Sequence, residues 1–403
     1  MEQVLYKLPD GWEWRTFNDV CTNITDGAHA SPKTVDEGFP YVTVRDVNNK
    51  GQIDIINCKR ISEDDFLSLK KGNCLPPADS VLLSKDGTVG KVAHVTNDYD
   101  EFVVLSSLAI IVPEKTYLSP EYLKYFLLSP EFQDHAISSK TGAAIKRIVL
   151  RTIKNFNIPI APLEQQKRIV EKLDALLTRI DTAIEHLQES LTLADVLVKS
   201  SLSSMLTKQE HWDKVSLSDV CQITSKLCDP REEQYLDMFH VGGANITSFS
   251  GELIDLKTAR DEKLISGKFP FDNSMVLYSK IRPYLMKVAR PSFSGICSAD
   301  IYPLTPDNQK MSRDFLFYLL LSDLFTQYAI EGSSRAGMPK VNRNHLFNFE
   351  FYLPPIDEQK SICESLDALV EKTDEVSKEL TGKLSYLAGL KASILDSAFK
   401  GEL

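Results

Sequence analysis

The chain has 403 residues and carries 46 Lys and Arg against 56 Asp and Glu, a net charge of -10 that argues against a sequence-blind nucleic-acid binder. Hydrophobic residues at 43% and charged residues at 25% describe a soluble globular protein, too long for one ordinary core. No apolar run approaches the roughly eighteen residues that cross a bilayer, and the opening Met1 to Trp14 lacks a secretion-signal pattern, so a cytoplasmic location is expected. The seven cysteines (Cys21, Cys58, Cys74, Cys221, Cys228, Cys297, Cys363) form no CxxC pair. They read as reduced thiols, and no metal site is expected.

In chain order, short β-rich runs come first: Tyr41 to Val47, Val81 to Ser84, Lys91 to Val95 and Phe102 to Val112, separated by Gly, Asp and Asn. Two short helices follow, each opened by a serine cap and a proline at its first position: Ser119-Pro120-Glu121 and Ser129-Pro130-Glu131. A Pro-containing strand exit, Ile158-Pro159-Ile160-Ala161-Pro162, then leads into a long amphipathic stretch. Its apolar positions, Val170, Leu173, Leu177, Ile180, Ile184, Leu187, Leu191, Ala194, Val198 and Met205, keep a 3-4 spacing broken only by the polar Ser201. A stripe that narrow needs a partner helix. The alternative, one long helix lying on a globular domain, would leave about 60 Å of helix for a single compact core to cover.

The rest of the chain repeats this plan. Residue n set beside residue n+200 pairs Trp12 with Trp212, Asp19-Val20-Cys21 with Asp219-Val220-Cys221, and Gly51 with Gly251. With the offset drifting to about 193, Tyr125 faces Tyr318, Gln166-Lys167 faces Gln359-Lys360, and Leu173-Asp174-Ala175-Leu176 faces Leu366-Asp367-Ala368-Leu369. The second copy keeps the short helices at Ser312-Arg313-Asp314 and Ser322-Asp323 and the strand exit at Leu353-Pro354-Pro355. Its own long stretch offers Ile362, Leu366, Leu369, Val376, Leu380, Leu387, Leu390 and Ile394 as a seam, interrupted by Thr373, Lys383 and Ser397. Gly382 and Gly389 weaken that helix by about 1 kcal/mol each, and a close approach of another backbone would explain them.

The expected fold is α+β: two mixed α/β heads, residues 1–162 and 209–355, separated by two long helices, 163–208 and 356–403, packed as an antiparallel coiled coil with an internal pseudo-two-fold repeat. Neither head is basic in total, with 18 Lys and Arg against 21 Asp and Glu in the first and 16 against 18 in the second. The bases are nonetheless segregated. His135 to Leu163 holds Lys140, Lys146, Arg147, Arg151 and Lys154 with no acid, and Gly332 to Phe349 holds Arg335, Lys340 and Arg343 with none. Asn273 to Ala299 carries Lys280, Arg282, Lys287 and Arg290 without an acid; its counterpart carries Lys85 and Lys91 with Asp86.

Basic loops at equivalent places in both copies suit a bipartite reader of DNA, with Lys for phosphates and Arg for phosphates or guanine edges. The candidate DNA-binding residues are therefore Lys85, Lys91, Lys140, Lys146, Arg147 and Arg151 in the first head, and Lys280, Arg282, Arg290, Arg335, Lys340 and Arg343 in the second. Ordinary solvated loop charge is the competing reading. Thr25, Asp26, His29, Asn342 and Asn344 are polar residues able to read bases, although such residues more often serve turns and caps.

The arrangement resembles the specificity subunit of a type I restriction-modification system, in which two target recognition domains are each followed by a long helix. The resemblance is carried by Leu8-Pro9-Asp10-Gly11-Trp12, Thr25-Asp26-Gly27-Ala28-His29 and Ser84-Lys85-Asp86-Gly87-Thr88-Val89-Gly90-Lys91. The twin stretches Pro162-Leu163-Glu164-Gln165-Gln166-Lys167 and Pro355-Ile356-Asp357-Glu358-Gln359-Lys360 are its most specific part. The second head departs from it, with Ser279-Lys280-Ile281-Arg282 in place of the Asp-Gly turn and no Asp-Gly-x-His element.

The resemblance implies a non-catalytic subunit of a phage-defence system that selects a split sequence in double-stranded DNA and recruits two modification (methyltransferase) subunits and the restriction subunits. S-adenosylmethionine and ATP with Mg would belong to those partners, with no cofactor on this chain. Two other classes compete: a coiled-coil adaptor whose heads bind proteins, and a self-contained DNA-modifying enzyme. The latter lacks its motifs, since Leu75-Pro76-Pro77-Ala78 and Leu353-Pro354-Pro355-Ile356 do not match the Asn/Asp-Pro-Pro-Tyr/Phe tetrapeptide of amino-methyltransferases. Gly87-Thr88-Val89-Gly90-Lys91-Val92 has neither the spacing nor the hydroxyl of a phosphate loop. Glu63-Asp64-Asp65 reads as the acidic first turn of a helix capped by Ser62 rather than as a metal cluster.

Overall fold

A computed structural model describes residues 3, 5–138, 147–333 and 339–403, with the side chains of 137 and 138 left out. The chain divides into two compact units: Met1–Leu187 with Gly382–Leu403, and Gln188–Thr381.

In the first unit, Cys21–Asp26, Leu108–Pro113, Val81–Ser84 and Val92–His94 form an antiparallel sheet in that order. Successive side chains of a strand point to opposite faces, and here both faces are buried. Val81, Leu83, Ala109 and Ile111 enter a core with Phe17, Tyr122 and Phe126, while Leu82, Ala93, Leu108 and Ile110 enter another with Val42, Val104 and Phe102. A second sheet, ordered Thr34–Val35, Lys59–Ile61, Phe39–Val42 and Val103–Val104, closes with a parallel pair. Ser62 caps the helix Glu63–Lys71 by accepting from Asp65 N, so the acidic run is the helix start its sequence suggests.

The second unit repeats both sheets. Cys221–Gln222, Ile301–Pro306, Val276–Ser279 and Val288–Ala289 form one; Lys257–Thr258, Phe239–Val241, Gly295–Ser298 and Lys268–Phe271 form the other. Its second sheet gains a strand on the edge opposite to that of the first unit, beside Gly295–Ser298.

Each head is locked to the start of its own long helix by the same device. The strand Glu13–Thr16 pairs with Asn157–Ile160, and Asp213–Ser216 pairs with Glu350–Leu353. Gln166, fully buried, accepts from Ser119 N at 3.0 Å and donates to the carbonyls of Tyr117 and Ala161 at 2.7 and 2.8 Å. Gln359 does the same with Ser312 N, Lys310 O and Pro354 O at 2.8, 2.7 and 2.9 Å. The Trp12 indole donates to Gln165 at 2.8 Å, and Trp212 donates to Glu358 at 3.2 Å.

The long helices are Leu163–Met205 and Ile356–Lys400. In the first unit Leu173, Leu177 and Ile180 share a core with Leu395, Ala398 and Phe399, and Lys391 pairs with Asp181 at 2.7 Å, so the two segments run antiparallel. In the second unit Leu202 shares a core with Cys363 and Leu366. Val170, Leu173, Leu177, Ile180 and Leu366 are buried, and Ile184, Leu187, Leu191, Leu369, Leu380, Leu387 and Ile394 half-buried.

Val376 corrects the seam, being 42% exposed. The covered row runs instead through Leu366, Val370, Thr373, Ser377, Leu380, Leu384 and Leu387. Both rows keep a 3-4 rhythm and share every second member, and the covered one replaces Lys383 with Leu384. Gly382 and Gly389 do not mark a close approach either, because a Cβ added at either would meet open space.

Candidate nucleic-acid interface

The basic turn of each head is zipped to the stretch that precedes a short helix. In the first head Ser84 closes the turn: its Oγ accepts from Lys91 N at 2.8 Å, and Gly87 and Gly90 supply φ of +70° and +103°, conformations that cost glycine little. Asp86 bridges antiparallel to Arg147, and Ile148 N donates to Lys85 O at 2.8 Å. In the second head Ile281 bridges Lys340 in the same way, with Val341 N donating to Lys280 O at 2.9 Å and Arg282 N to Pro339 O at 2.9 Å. The helices that follow are Leu150–Lys154 and Arg343–Phe347.

This construction sorts the candidate bases. Arg147, Arg151, Arg282, Lys340 and Arg343 are exposed on the zipped turns or the short helices beside them. Lys340 lies 3.6 Å from Asp300 and stays half-exposed, and Arg343 stacks over its neighbour Phe347. Lys140, Lys146 and Arg335 lie outside the described residues.

The four other described candidates, Lys85, Lys91, Lys280 and Arg290, turn toward partners within their own head or its long helix. Lys85 is 7% exposed, its ammonium between Asp26 at 3.2 Å and Asp86 at 2.8 Å. Lys91 donates to the carbonyls of Val47 and Val44 at 2.5 and 3.3 Å. Lys280 donates to Ala299 O and pairs with Asp300 at 3.3 Å, and burial pulls its proton affinity below the usual lysine value, with the Lys340 charge adding to the effect. Arg290 binds Asp314 at 2.7 Å and Asp367, and lies over Phe317 and Tyr318. Burial opposes its charge, yet the hydrogen bonds of Asp367 and Asp314 hold its proton more tightly than usual. In each case an acid or a carbonyl remote in sequence claims the charge, which spacing along the chain does not reveal.

Two surface features were less legible. Tyr284, 52% exposed on the Arg282 turn, offers an aromatic face whose only sequence signal is the Arg-Pro-Tyr run. His29 has a 78% exposed side chain held by Asp26 at 3.2 Å. Asn342 is a cap, accepting from His345 N at 2.8 Å. Among the described residues no group of three His, Cys, Asp or Glu is placed to hold a metal ion, and no helix is long and apolar enough to cross a membrane.

The family model described as the type I restriction modification DNA specificity domain matches twice, over residues 9–193 and 209–385. The chain belongs to the type I DNA specificity family. Among relatives in that family, the type I restriction enzyme EcoDI specificity subunit of Escherichia coli is 28% identical over 360 residues, 80% of this chain and 78% of the relative. The StySPI specificity subunit of Salmonella potsdam is 25% identical over 430 residues, 98% of this chain and 90% of its own.

The fold is shared with solved structures. A chain in a study of complex assembly and conformational transition of the type I R-M system superposes with a TM-score of 0.75 at 20% identity, covering 99% of this chain and all of the other. The HsdS subunit of Thermoanaerobacter tengcongensis gives 0.54 at 21% identity, with both chains covered in full. The two family matches each contain one zipped basic turn, so the repeat of the family domain and the repeat of the candidate interface coincide.

Proposed function

We propose that this chain, a non-catalytic DNA-specificity subunit, reads a split target, one short part by each head, with an unread spacer between them. The single observation that carries the reading is the recurrence of the zipped turn, Asp86 to Arg147 and Ile281 to Lys340, inside two separate DNA-specificity domains. The heads would be residues 1–162 and 209–355. The exposed Arg147, Arg151, Arg282, Lys340 and Arg343 would face the duplex, together with Lys140, Lys146 and Arg335. The inward bases shape the turns that present them.

The long helices, 163–208 and 356–403, would hold the catalytic partners: two modification subunits using S-adenosylmethionine, joined for cleavage by restriction subunits using ATP and Mg. The assembly would act in the cytoplasm, and this chain would carry no cofactor.

Methylation mapping in cells with and without the chain tests the reading, and a two-part motif that vanishes with the chain is the expected result. Arg147→Ala with Arg151→Ala should degrade one part of the motif, and Arg282→Ala with Arg343→Ala the other. If about six to ten phosphates are engaged, affinity should fall on the order of a thousandfold or more between 50 and 200 mM salt. A salt-independent binding curve would count against the interface.

A further inference from the structure

We infer that His29 accepts a hydrogen bond from a base amino group, of adenine or cytosine, in one part of the target, and that Asp26 is the positioning residue that fixes the ring tautomer required. The inference rests on the DNA reading above and names the chemistry of one contact within it.

Asp26 is held from two sides. One of its oxygens lies 3.2 Å from His29 Nε2 and the other 3.2 Å from Lys85 Nζ. The side chains of Asp26 and Lys85 are 11% and 9% exposed, whereas that of His29 is 78% exposed. A carboxylate can only accept, so the hydrogen bond places the ring hydrogen on Nε2, and in the neutral ring Nδ1 is left as an acceptor.

The element that carries His29 has little freedom. A Cβ on Gly27 would lie 1.9 Å from Val104 O, Ala28 N donates to that carbonyl at 2.9 Å, and Ser106 N donates to Ala28 O at 3.0 Å. Lys85, on the far side of Asp26, begins the turn that bridges Arg147. The imidazole therefore stands beside the basic turn with a defined hydrogen-bonding sense.

In the major groove the donors are the adenine N6 and cytosine N4 amino groups, and guanine and thymine present acceptors at the corresponding positions. An imidazole acceptor therefore favours the first pair. In the second head the acid beside Lys280 is Asp300, shared with Lys340, and that head has no Asp-Gly-x-His element. The effect should stay within one part of the motif.

The test uses the full chain with its modification partner and maps methylated sites. His29→Ala, at an exposed position, should relax one adenine or cytosine position by about tenfold and leave the other part of the motif unchanged. Asp26→Asn should do something different. Lys85 is a donor and keeps the amide oxygen, so the amide NH2 turns to His29 and moves the ring hydrogen to Nδ1, and the same position should now prefer guanine or thymine.

An unchanged motif in His29→Ala overturns the proposal. So does a uniform weakening on all sequences with the salt slope reduced by about 1, which would mark a phosphate contact. Relaxation by His29→Ala with no change of preference in a folded Asp26→Asn chain overturns the tautomer assignment. If the unsubstituted chain directs no split motif, the DNA reading fails and this contact fails with it.

Discussion

The phenol of Tyr318 donates a 2.6 Å hydrogen bond to the Asp367 carboxylate, joining a head helix to the long helix that follows it. Tyr125 makes the same bond to Asp174 in the first unit. Arg290 binds the Asp367 carboxylate too and lies over the Tyr318 ring, so in the second unit one guanidinium, one phenol and one carboxylate form a single joint. Tyr125 and Tyr318 both have their proton affinity raised, by burial first and by their aspartate second.

Arg290→Ala should therefore behave as a stability variant. Asp367 is partly solvated, which discounts the loss, and about 1–2 kcal/mol is expected in urea unfolding. The salt dependence of DNA binding should stay unchanged, whereas Arg343→Ala should alter that slope with little effect on stability. A reduced slope for Arg290→Ala would return this residue to the interface.

Gly382 and Gly389 lie in helix with open space where a Cβ would be. Alanine at each should raise the stability of the isolated chain by up to about 1 kcal/mol, the helix-propensity difference. A loss of stability on either substitution would show a backbone contact at that glycine after all.

Leu177 is 4% exposed and Val376 42%. Leu177→Asp should cost several kcal/mol, on the order of 4, because it buries a carboxylate among apolar side chains. Val376→Asp should stay within about 0.5 kcal/mol. Equal losses in thermal unfolding would restore the seam through Val376.

Burial raises the pKa of Glu131, against the hydrogen bonds of Gln3 and Tyr6. A carboxyl whose pKa is raised on folding contributes its full stability below the ordinary glutamate value, and that contribution is lost as the pH climbs through the raised one. Glu131→Gln keeps an acceptor for the 2.7 Å bond from Gln3. The variant should melt higher than the parent at about pH 7, and the gap should close as the pH falls toward about 4. A gap independent of pH would exclude ionisation of Glu131 as the cause.

The duplication is legible in the sequence alone, and the structure supplies its reasons residue by residue. Asp19 and Asp219 recur because each accepts from the backbone of the residue three before it, Thr16 N at 3.1 Å and Ser216 N at 2.8 Å. Gly51 and Gly251 recur with φ of +74° and +70°, where a Cβ would lie 2.8 Å from Val92 O and 2.4 Å from Val288 O. The twin glutamines are visible as a motif, but most of their hydrogen bonds are not, since Ser119 and Tyr117 in one unit and Ser312 and Lys310 in the other lie 47 and 49 residues away along the chain.

By itself the sequence determined the order of elements, the repeat, the two long helices and the family, because heptad spacing, caps and duplicated motifs are local patterns that physical chemistry reads along the chain. Only the tertiary structure decided which bases remain available. Lys85 turns inward because Asp26 lies opposite it and Arg290 because Asp367 does, while Arg147 and Arg343 stay exposed. A charge is captured by whichever acid folding brings within a few ångströms, and that distance is set by packing rather than by position in the chain.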